Sequence, residues 1–155
     1  MIDVGGKPPT ERVAVARALL VMSKATRARV AAGEVEKGDV LAAARLAGVM
    51  AAKRTPDLIP LCHPIALSAV EMEVRLTARG LEALATVRTV DRTGVEMEAL
   101  TAAAAACLTA YDMLKRYQRG MVLERVELLE KRGGRTGTWR AAPPRRVAGR
   151  TSPPR

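Results

Sequence analysis

The sequence has no phenylalanine, one tryptophan and two tyrosines among its 155 residues. RNA-binding sheets stack bases on exposed rings, so this scarcity argues against a specific nucleic-acid module. Tyr111 falls on the apolar stripe of an expected helix, and Trp139 lies near the C-terminus. There is one histidine, His63, and there are two cysteines, Cys62 and Cys107. Two cysteines cannot build a disulfide framework, and reduced thiols suit a cytoplasmic protein. A closed zinc site needs four ligands, so a metal would require carboxylates or a neighbouring subunit, and none is expected. No apolar run reaches about 18 residues without a charge, which excludes a membrane-spanning helix. The start, Met1 to Gly6, lacks the charged and apolar segments of a signal peptide.

Acidic residues are absent from the last 25 positions, which hold eight basic ones. The chain carries 26 basic and 16 acidic residues, a net charge of +10; removing those eight leaves 18 basic against 16 acidic in residues 1–130. The excess charge therefore belongs mainly to residues 131–155, a Gly/Pro/Arg mixture with few large apolar side chains. Such a segment reads as flexible. Residues 1–130 form the expected single catalytic domain, and any nucleic-acid binding would be non-specific and carried by the tail. Lysine is also scarce, six against 20 arginines. An internal lysine in so arginine-rich a chain draws notice, because lysine can exchange a proton and arginine cannot.

The patterning predicts an α+β domain. Arg12–Met22 reads as a strand with Val13, Val15, Leu19 and Val21 on one face. Ser23 caps a helix over Lys24–Ala32, and Asp39 caps another over Val40–Lys53, stopped by Thr55-Pro56. Ala66–Ala78 alternates, with Glu71, Glu73 and Arg75 on its wet face, and turns at Arg79-Gly80 into Glu82–Asp91. A long helix follows over Val95–Gln118, with an apolar stripe of Met97, Leu100, Ala104, Leu108 and Tyr111. Met121–Glu130 closes the order as a last strand. This is βαββαβ with the first crossover helix split in two. It describes a ferredoxin-like sandwich, one antiparallel sheet with helices on one face. The face bearing Glu71 is left for solvent or another subunit.

Three constellations carry chemistry. The Pro-stiffened loop Asp57–Pro64 holds Cys62 and His63; His63 is either an ordinary loop residue or a phosphate or proton ligand. Glu96 and Glu98 open the long helix. They either compensate its dipole or bind a ligand, though two residues apart on a helix they point about 200° away from each other. Asp112 and Lys115, at i and i+3, are either a surface ion pair or a coupled acid–base pair. Glu98 and Asp112 face the same way about 21 Å apart, so one small molecule cannot reach both within one chain. A site using both would span a subunit interface. Lys37-Gly38-Asp39 at a helix start and Lys53-Arg54 at its end suit a phosphorylated small molecule, and no Walker or dinucleotide fingerprint is present.

The words Lys37-Gly38-Asp39-Val40, Ala51-Ala52-Lys53-Arg54-Thr55, Leu58-Ile59-Pro60-Leu61-Cys62-His63-Pro64, Thr93-Gly94-Val95-Glu96-Met97-Glu98 and Tyr111-Asp112-Met113, with Ala44–Gly48, occur in order. Together they resemble the molybdenum cofactor biosynthesis protein C family, the cyclic pyranopterin monophosphate synthases. The resemblance runs from about Ile2 to Gly137. It implies a lyase with no cofactor, acting on 3′,8-cyclo-7,8-dihydroguanosine 5′-triphosphate and releasing cyclic pyranopterin monophosphate and diphosphate. It implies a homohexamer, a trimer of dimers with sites at the dimer interface. By the same resemblance Asp112 and Lys115 are catalytic. Leu61, Cys62, His63, Met97 and Glu98 bind substrate, and Lys37, Lys53 and Glu96 stand in the pocket. An acid–base lysine whose pKa is lowered by pocket cations is the expected mechanism. An inactive structural partner of another enzyme is the competing reading, and the intact pocket set argues against it.

Overall fold

A computed structural model describes residues 1–142. The elements are β1 (Thr10–Val21), α1 (Lys24–Ala31), α2 (Val40–Lys53), the single turn α3 (Thr55–Leu58), β2 (Ala69–Leu76), β3 (Gly80–Asp91), α4 (Glu96–Leu114), β4 (Val122–Arg132) and β5 (Trp139–Arg140). The strands form one antiparallel sheet in the order β2-β3-β1-β4-β5. Its first four strands have the ferredoxin-like arrangement, with α2 and α4 packed together on one face.

Local chemistry sets the boundaries. The Ser23 hydroxyl accepts from the Thr26 amide at 3.1 Å and starts α1. The Asp39 carboxylate accepts from the Ala42 amide at 2.9 Å and starts α2. Pro56 ends α2 as expected, but it also sits in the first turn of α3, where its missing N–H costs nothing. The crossover is therefore in three pieces, not two. The last long helix stops at Leu114 instead of Gln118. Its final carbonyl accepts from both Tyr117 and Gln118, and that turn leads the chain away toward β4. β4 reaches Arg132, two residues beyond the expected domain edge, through two register irregularities against β1. β5 lies within the segment read as a tail and pairs with Glu130 and Lys131. The rest of that segment, residues 143–155, lies outside the described residues.

Small side chains make up much of the core. From the sheet come Ala14, Ala16 and Ala18 of β1 and Ala83 and Ala85 of β3; from α4 come Ala99, Ala102, Ala103, Ala106 and Ala110, all fully buried. The apolar face read for β1, with Val13, Val15, Leu19 and Val21, lies away from α4 and outside the core cluster. One sequence expectation reverses here. The expected stripe of α4 is not its buried face: Leu108 is 57% exposed and Met97 38%. Small residues face the sheet because the α2–α4 layer sits close against it. The approach is close at Gly48 in α2, where an added Cβ would lie 2.5 Å from Met72 Cε and 3.1 Å from the Ala102 carbonyl oxygen.

The open face of the sheet keeps Glu71, Glu73 and Arg75 exposed, as the alternation predicts. Charges alternate across its strands. Arg75 pairs with Glu82 at 2.6 Å, Glu82 approaches Arg17 at 3.8 Å, and Arg17 pairs with Glu127 at 2.5 Å.

Candidate active site

α2 and α4 run antiparallel, and each end of the pair holds one cluster of expected site residues. At the C-terminal end of α4, Asp112 takes a lysine on each carboxylate oxygen. Lys37 Nζ donates to Oδ2 at 2.6 Å and Lys115 Nζ stands 2.7 Å from Oδ1. Lys37 also donates to the Asp112 carbonyl at 3.2 Å. These side chains are about half exposed, open to a ligand. The Lys115 and Lys37 ammonium groups hold the Asp112 carboxyl down at about 2. Conversely, Asp112 raises the pKa of Lys115. This corrects the sequence expectation of a lowered lysine pKa: the nearest charge is an anion, and it favours the ammonium form. Lys115 is therefore held in its ammonium form.

The second cluster lies at the start of α4 and in the loop after α3. Glu98 is buried, and Cys62 Sγ donates to its Oε1 at 3.3 Å. Its Oε2 is buried without a partner. Burial raises the Glu98 pKa, and burial together with the Glu98 contact pushes the Cys62 thiol up to about 11. Cys62 is therefore not a thiolate nucleophile at neutral pH. His63 Nε2 is 2.9 Å from the Ile2 carbonyl oxygen, so the N-terminal segment covers the histidine. Leu61, Cys62, His63, Glu96, Met97 and Glu98 line one cavity of about 310 Å³ with Thr93 and Gly94. Glu96 and Glu98 do share this cavity, despite their angular separation. Glu96 is the first helical residue, and its carboxylate folds back over Gly94, where a Cβ would lie 2.0 Å from Oε2.

Lys53, the last residue of α2, is exposed at the same end as Glu98. The two clusters remain about 21 Å apart along α4. One chain thus brings Lys37, Asp112 and Lys115 together, and separately Leu61 to His63 with Glu96 to Glu98.

Sequence reasoning missed a basic cavity that continues the second cluster. It measures about 440 Å³, shares Thr93 and Gly94 with the first cavity, and is lined by Lys7, Arg12, Arg92 and Arg135 with no acidic residue. Arg12 Nε and Thr10 Oγ1 are buried there without partners. Gly134, at φ +72, lets the chain fold over Arg12; a Cβ would meet its Nη1 at 1.9 Å. These cations are far apart in the chain, and the pairing of β1 with β3 and β4 brings them together. Among the described residues no three His, Cys, Asp or Glu side chains are placed to share a metal ion, and no helix is long and apolar enough to cross a membrane.

A half-exposed acid held between two lysines, and a buried carboxyl in a cavity that adjoins a basic one, are groups of the kind that acid–base enzymes use. The comparisons with known proteins give the family. The model of the MoaC family matches residues 1–134, and the chain belongs to that family. It is 56% identical over 142 residues to a cyclic pyranopterin monophosphate synthase of Novosphingobium aromaticivorans, covering 92% of this chain and 90% of that one. It is 58% identical to a protein of the same name from Thermomicrobium roseum, covering 90% and 86%.

Proposed function

We infer that the two clusters are halves of one active site, completed between subunits. The chain is a cyclic pyranopterin monophosphate synthase of molybdenum cofactor biosynthesis, a lyase, as its family membership indicates. Its substrate is 3′,8-cyclo-7,8-dihydroguanosine 5′-triphosphate, its second product is diphosphate, and it works in the cytoplasm. The observation that carries the interface reading is the separation of Asp112 from Glu98 along one helix. The large apolar side chains left outside, Leu46, Met50 and Leu108 among them, supply surface for assembly into a hexamer.

The reaction opens the imidazole ring, builds a pyrazine ring and closes a cyclic phosphate. Each stage moves protons. Lys115, kept as an ammonium by Asp112, acts first as general acid and its amine then accepts a proton. Lys37, sharing the same carboxylate, places a second cation beside the reacting centre. On the facing half, Glu98 Oε2, buried without a partner within the chain, accepts from N–H groups of the guanine-derived ring. Leu61, Met97 and Glu96 wall the ring pocket, with Cys62 holding Glu98 in place. His63 and Lys53 bind phosphate oxygens, and the basic cavity receives the rest of the triphosphate and stabilises departing diphosphate.

Incubation with the cyclised GTP intermediate should yield diphosphate and a pterin. Folded protein giving neither overturns the assignment. Co-refolding Asp112→Asn with Glu98→Gln should restore activity that neither variant has alone, because mixed assemblies rebuild intact sites. No recovery in verified mixed assemblies refutes the shared site.

A further inference from the structure

Lys37 stands on a loop, yet the centre needs it at a fixed place. Its backbone makes the turn Val35–Gly38, closed by Gly38 N–H to the Val35 carbonyl at 2.9 Å, with Gly38 at φ +94. A loop lysine loses much rotamer freedom when pinned, so something must hold the loop. The buried Val35 side chain is one anchor. The other comes from the five residues after α4. Tyr117 Oη accepts from the Glu36 amide at 3.1 Å, and Arg116 pairs with the Glu36 carboxylate. The Tyr117 ring lies beneath the Arg29 guanidinium of α1, 4.6 Å from its centroid. The next residue, Gln118, accepts from Ser23 N–H at 2.9 Å and from the Thr26 hydroxyl at 2.8 Å. Tyr111 Oη closes the turn by donating to the Arg119 carbonyl at 2.9 Å.

We propose that Tyr117 is a positioning residue for the reaction: its hydroxyl fixes the Glu36-Lys37 backbone so that Lys37 meets Asp112 in register with Lys115. This rests on the functional reading above, and it assigns a role to a residue outside the two clusters. Tyr117 touches the α1 and Lys37-loop sides at once while standing two residues from Lys115. The lysine on α4 and the lysine on the loop are therefore tied by a short strap that lies outside both clusters. The alternative, a ring that merely fills surface space, makes no use of the hydroxyl.

Tyr117→Phe removes only that hydroxyl and keeps the ring under Arg29. Loss of one neutral hydrogen bond that holds the loop should lower kcat about threefold to tenfold, with KM changed less than about twofold. A readout independent of turnover is the side-chain carboxyl resonance of Asp112, titrated by NMR at low salt. The charged groups around it in this structure are Lys37 from the loop and Lys115 from its own helix turn, with Arg116 and Glu36 beyond. With Lys37 loosened, Asp112 should titrate above its wild-type value of about 2, toward the ordinary carboxylate range. In the Lys37→Ala background the same change at Tyr117 should have no further effect on kcat. An unshifted Asp112 titration, or losses that multiply in the double variant, overturns the proposal. A shifted titration in a protein that never turns over the cyclised nucleotide leaves the strap standing and overturns the functional reading instead.

Discussion

Gly48→Ala tests whether the close approach of α2 to α4 is a packing requirement. In an unhindered helix interior the change would stabilise by about 0.8–1 kcal/mol, because alanine is the better helix former. Here the new methyl lands 2.5 Å from Met72 Cε, 2.9 Å from Met72 Sδ and 3.1 Å from the Ala102 carbonyl oxygen. The thioether can rotate away at the cost of its own contacts. The carbonyl cannot move without α4, so the helices must part by a few tenths of an ångström. Overpacking of this kind costs roughly 1–3 kcal/mol, which outweighs the propensity gain and leaves a net loss of about 1 kcal/mol. For a chain of this size that is about 2–5 °C in Tm. Activity should fall further than stability, since α2 and α4 carry the elements that place both clusters. The assays are urea unfolding and steady-state turnover on the same preparations. Met72→Ala should relieve part of the strain, so the double variant should be more stable than the sum of the single losses. A Gly48→Ala protein more stable than wild type by the full propensity gain would refute the reasoning.

Lys115→Arg keeps the charge and the Asp112 contact but gives up easy proton exchange, so turnover should fall at least about a hundredfold with little change in Tm; near wild-type turnover removes the acid–base role. Glu98 has a folded pKa raised by burial, so the native state holds its proton more tightly than the unfolded chain. Its contribution is present at low pH and is lost as pH climbs from the ordinary carboxylate range through the raised value. Glu98→Gln should flatten that decline, whose slope is at most about 1.4 kcal/mol per pH unit, and urea midpoints across pH measure it. Truncation after Gly137 removes β5 and the residues beyond it; turnover should survive while retention on heparin drops, and loss of activity would place the end of the chain in the site.

The fold was legible where side chains differ sharply in polarity. Alternation in residues 69–76, the caps Ser23 and Asp39 and the prolines all act locally, so their elements are as expected. The faces were harder to read. Alanine is a weak hydrophobic signal, yet the core of β1 and α4 is alanine, and the larger aliphatic residues drew attention to the wrong side. Asp112 with Lys115 was visible at i, i+3 spacing. Its second lysine was not visible from spacing: Lys37, put in the pocket by the resemblance alone, lies 75 residues away and is joined only by tertiary packing. The direction of the Lys115 shift was misjudged although its cause was in view: Asp112, one helical turn away, is the anion that raises it, and the pocket cations were given too much weight. Arg12, Arg92 and Arg135 were hidden among many arginines, and Arg135 also sat in the segment read as flexible.

The alanine core changes what kind of mutation this chain tolerates. In a core of leucines and phenylalanines damage comes chiefly from deletion, since each removed methylene leaves a hole. At Ala14, Ala16, Ala83 and Ala103 there is almost nothing to delete, and holes can open only at the larger neighbours such as Leu20, Leu81 and Leu114. Damage comes instead from growth, one added methyl pushing two layers apart. Such a sequence is constrained by size from within: where the helices meet the sheet through alanine, each position is held to the smallest residues available.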